Sequence, residues 1–214
     1  YKRQDFESAL AKYCGVKHAI GVANGTDAIE IALRALNIGF GDEVITVSHT
    51  AVATVAAIEA TGASAVLVDV DPKFYTLNPN RLQESLTNKT KAIIAVHLYG
   101  QAADLDPIKT FCNLNKIYLI EDASQAHGAK YNNKRLGSIG DIGCFSCYPT
   151  KNLGAIGDAG LVTTNNEELA SRIRRIREYG WENRVSMQPG RNSRLDELQA
   201  AILRIKLKYL DEDN

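Results

Sequence analysis

The sequence predicts an α/β protein: a mostly parallel sheet of about seven strands with helices on both faces. Three observations lead there. Short runs rich in Val and Ile alternate with longer stretches of helical period. Those runs are continuously apolar, as in strands buried on both faces. Glycines such as Gly21, Gly25, Gly62 and Gly100 punctuate the joins.

In chain order, residues 2–13 have the period of an amphipathic helix, inside which Tyr1 also falls. Strands follow at 19–22, 43–47, 65–70, 92–98, 117–121, 143–147 and 160–164, each a short apolar run with turn residues close by. Helical patterns lie between and after them, at 26–36, 50–61, 79–87, 105–115, 166–179 and 193–210. There is no repeat, low-complexity tract or linker, so residues 1–214 form one domain. Helical patterning at both ends gives the expectation of a fragment of a longer protein.

Lys+Arg and Asp+Glu balance at 25 each, which argues against a nucleic-acid backbone or an anionic membrane surface as partner. The 45% hydrophobic content is that of a folded domain. The start has no signal-peptide pattern, and the most apolar stretch, 50–70, is interrupted by Glu59, Gly62 and Asp69. Cys14, Cys112, Cys144 and Cys147 form no disulfide framework, so a reducing cytoplasm is the expected setting. Cys144 and Cys147 have C-x-x-C spacing, but there is no second pair to complete a metal site. The four histidines are also too scattered for a zinc motif.

Parallel sheets bind ligands outside the carboxyl ends of their strands, so residues that follow strands are the candidates. After the first strand, "ANGTDAIEIAL" (23–33) opens a helix at Gly25 and Thr26, where free N–H groups and the helix dipole favour an anion. The plainer reading is a helix cap by Asn24 or Thr26. No G-x-G-x-x-G follows any strand, which weighs against a dinucleotide site. After the fifth strand, "LIEDASQAHGA" (119–129) puts Asp122 where a carboxylate can hold a cationic nitrogen, with Gln125 and His127 close behind. The alternative is Asp122 as an N-cap and His127 as a satisfied polar residue. Ser124, His127 and Asp122 are too close in sequence to assemble a hydrolytic triad easily, and no G-x-S-x-G elbow is present.

The stretch "CYPTKNLGAIGDAG" (147–160) sets a lone lysine, Lys151, among glycines, five residues after Ser146. Pro149 ends regular strand pairing, and Gly154, Gly157 and Gly160 let backbone approach whatever Lys151 holds. An enclosed lysine is the setting of Schiff-base chemistry, although a solvated turn lysine is the commoner case.

Five segments in order now resemble the DegT-type aminotransferases, enzymes that use pyridoxal 5′-phosphate (PLP) and act on nucleotide-linked keto-sugars. They are "YCGVKHAIGVANGTDAI" (13–29), "GDEVITVSHTAVATVAAIEATGA" (41–63), "EDASQAHGA" (121–129), "YPTKNLGAIGDAG" (148–160) and "NSRLDELQAAIL" (192–203). The resemblance implies the large, cofactor-binding domain of a fold-type-I enzyme. Lys151 would carry the cofactor aldehyde as a Schiff base. Asp122 would pair with the pyridine nitrogen, and Gln125 would lie near the ring's 3-oxygen. Gly25, Thr26 and Ser146 would hold the phosphate, and Asn192 would reach the phosphate of a neighbouring subunit in a homodimer with shared active sites.

It further implies glutamate as amino donor and a nucleotide-linked keto-deoxysugar as acceptor. The form "HTAVATVAAIE" (49–59) looks most like members that aminate the 3-position. Ala51 departs from the family, since many relatives have there an aromatic residue that stacks on the ring; His49 is a nearby substitute or an ordinary strand-end residue. Lys151 argues against the dehydrating branch, which carries histidine instead. Family members also extend past both ends of this chain, through a short N-terminal segment and a smaller C-terminal domain. A non-catalytic cofactor-binding or dimerisation fragment is therefore the competing reading, with another PLP reaction as a third.

Overall fold

Helix α1 (Lys2–Cys14) opens the computed structural model, which describes residues 2–214. Tyr1, expected within this helix, lies outside the described residues. Phe6, Leu10 and Cys14 recur every four residues on the face that α1 packs against the first strand and a late helix.

Seven strands form the central sheet: β1 (His18–Val22), β2 (Glu43–Val47), β3 (Ser64–Val68), β4 (Thr90–Val96), β5 (Tyr118–Asp122), β6 (Ile142–Ser146) and β7 (Gly160–Thr164). Their order across the sheet is β1-β7-β6-β5-β4-β2-β3. Neighbours pair in parallel except at β7, which runs antiparallel to both β1 and β6. The mostly parallel sheet read from the sequence is the one observed. Its centre is the driest part: Ile93 and Ile94 of β4 and Ile120 of β5 have no exposed surface.

Helices α2 (Gly25–Ala35), α3 (Val52–Ala60), α4 (Leu82–Ser85), α5 (Leu105–Asn115), α6 (Glu167–Ile176), α7 (Glu197–Lys206) and α8 (Leu210–Asp213) complete the fold. Several boundaries differ from the sequence expectation, each for a local reason. β3 stops at Val68; beyond it Asp69 bonds its neighbour's N–H, and Val70 pairs instead with Leu77. α3 starts two residues late, after an extended Ala51. The helix expected over 79–87 is a 3₁₀ turn, Pro79–Arg81, followed by the single turn of α4.

The expected helix over 193–210 begins only at α7, because the preceding chain is tied to β1. There Ser193 Oγ accepts from the Ala23 N–H at 3.1 Å, and Leu195 packs on Gly21, where a Cβ would meet it at 2.7 Å. Two short hairpins were not expected, pairing 130–131 with 134–135 and 181–182 with 185–186. Their turns are Asn132-Asn133 and Asn183-Arg184, all four at positive φ, the two-residue geometry that matches strand twist.

Candidate active site

Asp122 is the last residue of β5, on the carboxyl edge of the parallel strands, and is 5% exposed. Adjacent residues of a strand face opposite ways, and Glu121 and Asp122 accordingly have unrelated surroundings. Asp122 does not cap a helix, since a turn and no helix follows it. Its Oδ2 accepts from the Thr54 hydroxyl at 2.9 Å and its Oδ1 from the Ser124 N–H at 3.2 Å. The Thr54 hydroxyl also lies 2.8 Å from that of Thr50.

Glu121 is fully buried and structural. It accepts from His97 Nε2 at 3.1 Å and from the N–H groups of Gly137, Ile139 and Gly140 at 2.7 Å each. Burial alone would push its carboxyl up, but the His97 contact and the backbone donors hold it below the usual carboxylate range. His97 Nδ1 accepts from the Ala103 N–H at 3.1 Å, which leaves the ring proton on Nε2, facing Glu121.

Lys151 sits in the loop between β6 and β7. That loop leaves and re-enters the sheet at one edge: the Cys147 N–H donates to the Ala159 carbonyl at 2.7 Å, and the Ala155 N–H to the Cys147 carbonyl at 2.8 Å. The glycines around Lys151 lie close against other parts of the chain. A Cβ at Gly154 would meet the Pro149 carbonyl oxygen at 2.6 Å, and one at Gly160 would run into the Asn24 carbonyl. Cys144 and Cys147 flank the strand end; both are buried, and burial pushes the Cys147 thiol up to about 12. Among the described residues no three His, Cys, Asp or Glu side chains cluster as metal ligands.

The sequence left the cap of α2 open between Asn24 and Thr26. Asn24 is the cap: its Oδ1 accepts from the Asp27 N–H at 2.8 Å. Gly25 and Thr26 therefore begin the helix beside Ser146, so close that a Cβ on Gly25 would lie 2.6 Å from the Ser146 Cβ. This corner joins the start of α2 to the end of β6, with the Thr26 and Ser146 side chains half-buried.

Lys151 and Asp122 line one narrow slot of about 20 Å³, together with Thr50, Ala51, Ser124 and Gln125. Lys151 and Gln125 also line a larger cavity of about 550 Å³ with Tyr99, Thr150 and Asn152. Asp122 does not line the larger cavity, so the slot is the one that Lys151 and Asp122 share. The Gln125 Oε1 accepts from the Tyr99 N–H at 2.9 Å, leaving its NH₂ group free to donate. Tyr99 holds a left-handed backbone (φ 57°) and exposes its ring, with its hydroxyl 3.5 Å from His49 Nε2.

His127 is only half satisfied, with Nε2 4.0 Å from the Cys147 Sγ. It is buried, its Nδ1 has no partner, and burial, helped by the charge of Lys151, pushes it down to about 4. Asn192 stands apart from the slot, exposed and bridged to Glu178 beside the 181–186 hairpin.

The structure thus brings Asp122, Gln125 and Lys151 together, sets Gly25, Thr26 and Ser146 in a neighbouring corner, and leaves Asn192 outside both. Thr50, Thr54 and Tyr99 were missed. The spacing of Thr50 and Thr54, one helical turn apart just after β2, was the available signal for two of them.

The residues present suit a phosphorylated pyridine aldehyde. The slot is lined by both a carboxylate and a primary amine, and Gly25, Thr26 and the Ser146 hydroxyl meet at the N-terminus of α2, a helix end of the kind that holds anions.

Comparison with known proteins gives the same picture. A profile of the DegT/DnrJ/EryC1/StrS aminotransferase family matches residues 1–214. A dTDP-3-amino-3,6-dideoxy-alpha-D-galactopyranose transaminase of Aneurinibacillus thermoaerophilus is 53% identical over 211 residues, 98% of this chain and 58% of that protein. A dTDP-3-amino-3,4,6-trideoxy-alpha-D-glucose transaminase of Streptomyces venezuelae is 46% identical over 212 residues, 99% of this chain and 56% of that one. The crystal structure of S. venezuelae DesV in complex with a ketimine intermediate superposes with a TM-score of 0.97 at 45% identity, covering 99% of this chain and 57% of DesV. The chain therefore spans a little over half the length of these relatives. Its sheet, its helices and its motifs in order agree: the chain belongs to the DegT/DnrJ/EryC1/StrS aminotransferase family.

Proposed function

We propose that the protein is a PLP-dependent aminotransferase that moves an amino group from glutamate to a nucleotide-linked keto-deoxysugar, with the 3-keto position of a dTDP-sugar as its preferred acceptor. The observation that carries this reading is the shared slot of Asp122 and Lys151 at the carboxyl edge of the sheet. The two dTDP-3-amino-sugar transaminases described above support the acceptor class.

When bound, PLP supplies an aldehyde carbon that carries the amino group and a ring that accepts the electrons left at the donor's α-carbon. Asp122 pairs with the ring nitrogen and keeps its proton in place. Gln125, its oxygen already engaged by Tyr99, donates its NH₂ toward the ring's 3-oxygen. Gly25, Thr26 and Ser146 hold the phosphate through N–H and hydroxyl donors. Lys151 Nζ would hold the aldehyde carbon and, as a free amine, would move the proton at the donor's α-carbon. With the keto-sugar the same groups act in reverse order.

Asn192 reaches the phosphate of a second subunit in a homodimer. The exposed apolar side chains of Trp181, Val185 and Met187 on the neighbouring hairpin support an interface there. Lys151 tests the whole reading. Wild-type protein mixed with PLP is expected to turn yellow and, after borohydride reduction, to carry the coenzyme on the peptide that contains Lys151. Lys151→Ala is expected to do neither. A colourless wild type, or coenzyme trapped on another lysine, overturns the assignment.

A further inference from the structure

The carboxylate of Asp122 is fixed at two points on two different elements. Ser124, in the turn that follows β5, holds Oδ1 through its backbone, and Thr54, in the first turn of α3, holds Oδ2 through its side chain. An ionised carboxylate only accepts, so the single hydroxyl proton of Thr54 points at Asp122. Thr50 must then be the donor in its 2.8 Å contact with Thr54. The hydrogen bonds run one way, from Thr50 on the wall of the slot, through fully buried Thr54, to the carboxylate.

Packing alone does not call for this arrangement, because valine would fill the same volume as Thr54. A helical threonine commonly bonds back to a carbonyl one turn earlier. Thr54 instead spends its proton across the α3–β5 gap. With both oxygens held, the carboxylate plane cannot turn about its terminal torsion, and its remaining lone pairs keep a fixed direction.

We propose that Thr54, itself held by Thr50, is a positioning residue that orients Asp122 for pairing with the cofactor's ring nitrogen. The inference rests on the PLP reading of the slot, and the following experiment separates the two. PLP affinity and the absorbance maximum of the bound coenzyme are measured for wild type, Thr54→Val, Thr54→Ser and Thr50→Ala. Thermal unfolding of each protein without coenzyme establishes that it is folded.

Thr54→Val is expected to bind PLP about ten- to a hundredfold more weakly and to shift the absorbance maximum, the size expected for losing a hydrogen bond to a charged group. Thr54→Ser is expected to stay within about threefold of wild type, and Thr50→Ala to lose about threefold. Rescue by serine separates the hydroxyl's role from that of the methyl packing. Folded Thr54→Val that binds within about twofold of wild type, with an unchanged spectrum, overturns the proposal and leaves the PLP reading intact. A wild type that binds no PLP overturns both. If Thr54→Val does not fold, Thr50→Ala decides, and wild-type affinity and spectrum in that variant defeat the relay.

Discussion

Gly25 shows how tightly single residues are constrained at this edge. Adding one methyl there would press on Ser146, its Cβ at 2.6 Å and its Cα at 3.0 Å, where backbone cannot yield cheaply. Gly25→Ala is therefore expected to cost about 1–3 kcal/mol of stability and to weaken PLP binding at least about tenfold by opening the phosphate corner. Urea unfolding and coenzyme titration measure the two losses separately. Residues whose chemistry is unusual for their setting were legible in the sequence: a lone lysine among glycines, and a second acid at the end of an apolar strand. Thr54 was not, because a threonine inside an apolar helix looks like filler until its hydroxyl partner is seen. The glycines near Lys151 were read as room for a ligand, whereas Gly154 and Gly160 make room for other backbone of the same chain.

At the scale of elements, the clamp on Glu121 joins three segments: the end of β4 through His97, β5 itself, and the loop before β6 through three N–H groups. Its carboxyl is held low in the folded state, so the folded protein binds fewer protons than the unfolded chain as acid is added. That stabilisation is complete above the ordinary glutamate value of about 4.3 and is lost as pH falls through the lower folded value. His127, depressed to about 4, acts earlier. Between about pH 6.5 and its folded value the unfolded chain takes up a proton that the buried ring refuses, so stability falls on acidification there too. Urea midpoints of the coenzyme-free protein are expected to drop in two stages, one starting near pH 6.5 and one starting below about pH 4.3. A flat profile from pH 7 to about pH 4.5 would show that His127 does not contribute.

Elements were legible where one pattern ruled, as in the apolar runs 92–96 of β4 and 118–120 of β5. They were misjudged where a side-chain bond competed with the helix or strand, as at Asp69 and Ser193. The two hairpins were missed although "YNNK" (131–134) and "ENRV" (182–185) carry Asn-containing two-residue turns, because strands of two residues leave no periodic signal.

For the whole molecule, the exposed apolar surface is the feature that the fold does not use internally. Trp181, Val185 and Met187 stand out from the hairpin next to Asn192, with Val185 59% and Met187 66% exposed. Such a patch favours burial against a second copy. Light scattering is expected to give a dimer, and the pair Val185→Glu and Met187→Glu to give a monomer with PLP binding weakened through loss of the partner's Asn192. A wild-type monomer, or an unchanged dimer in the double variant, moves the interface elsewhere. No helix among the described residues is long and apolar enough to cross a membrane.

The reversed direction of β7 has a consequence for change over time. Because the segment from Cys147 to Ala159 departs and returns on the same rim, between strands that are paired to each other, its two feet are stapled side by side. Residues could be inserted at its crown for little closure entropy, about 0.6 kcal/mol for each doubling of length. Pockets of new shape can thus be tried out next to Lys151 while the scaffold below stays as it is.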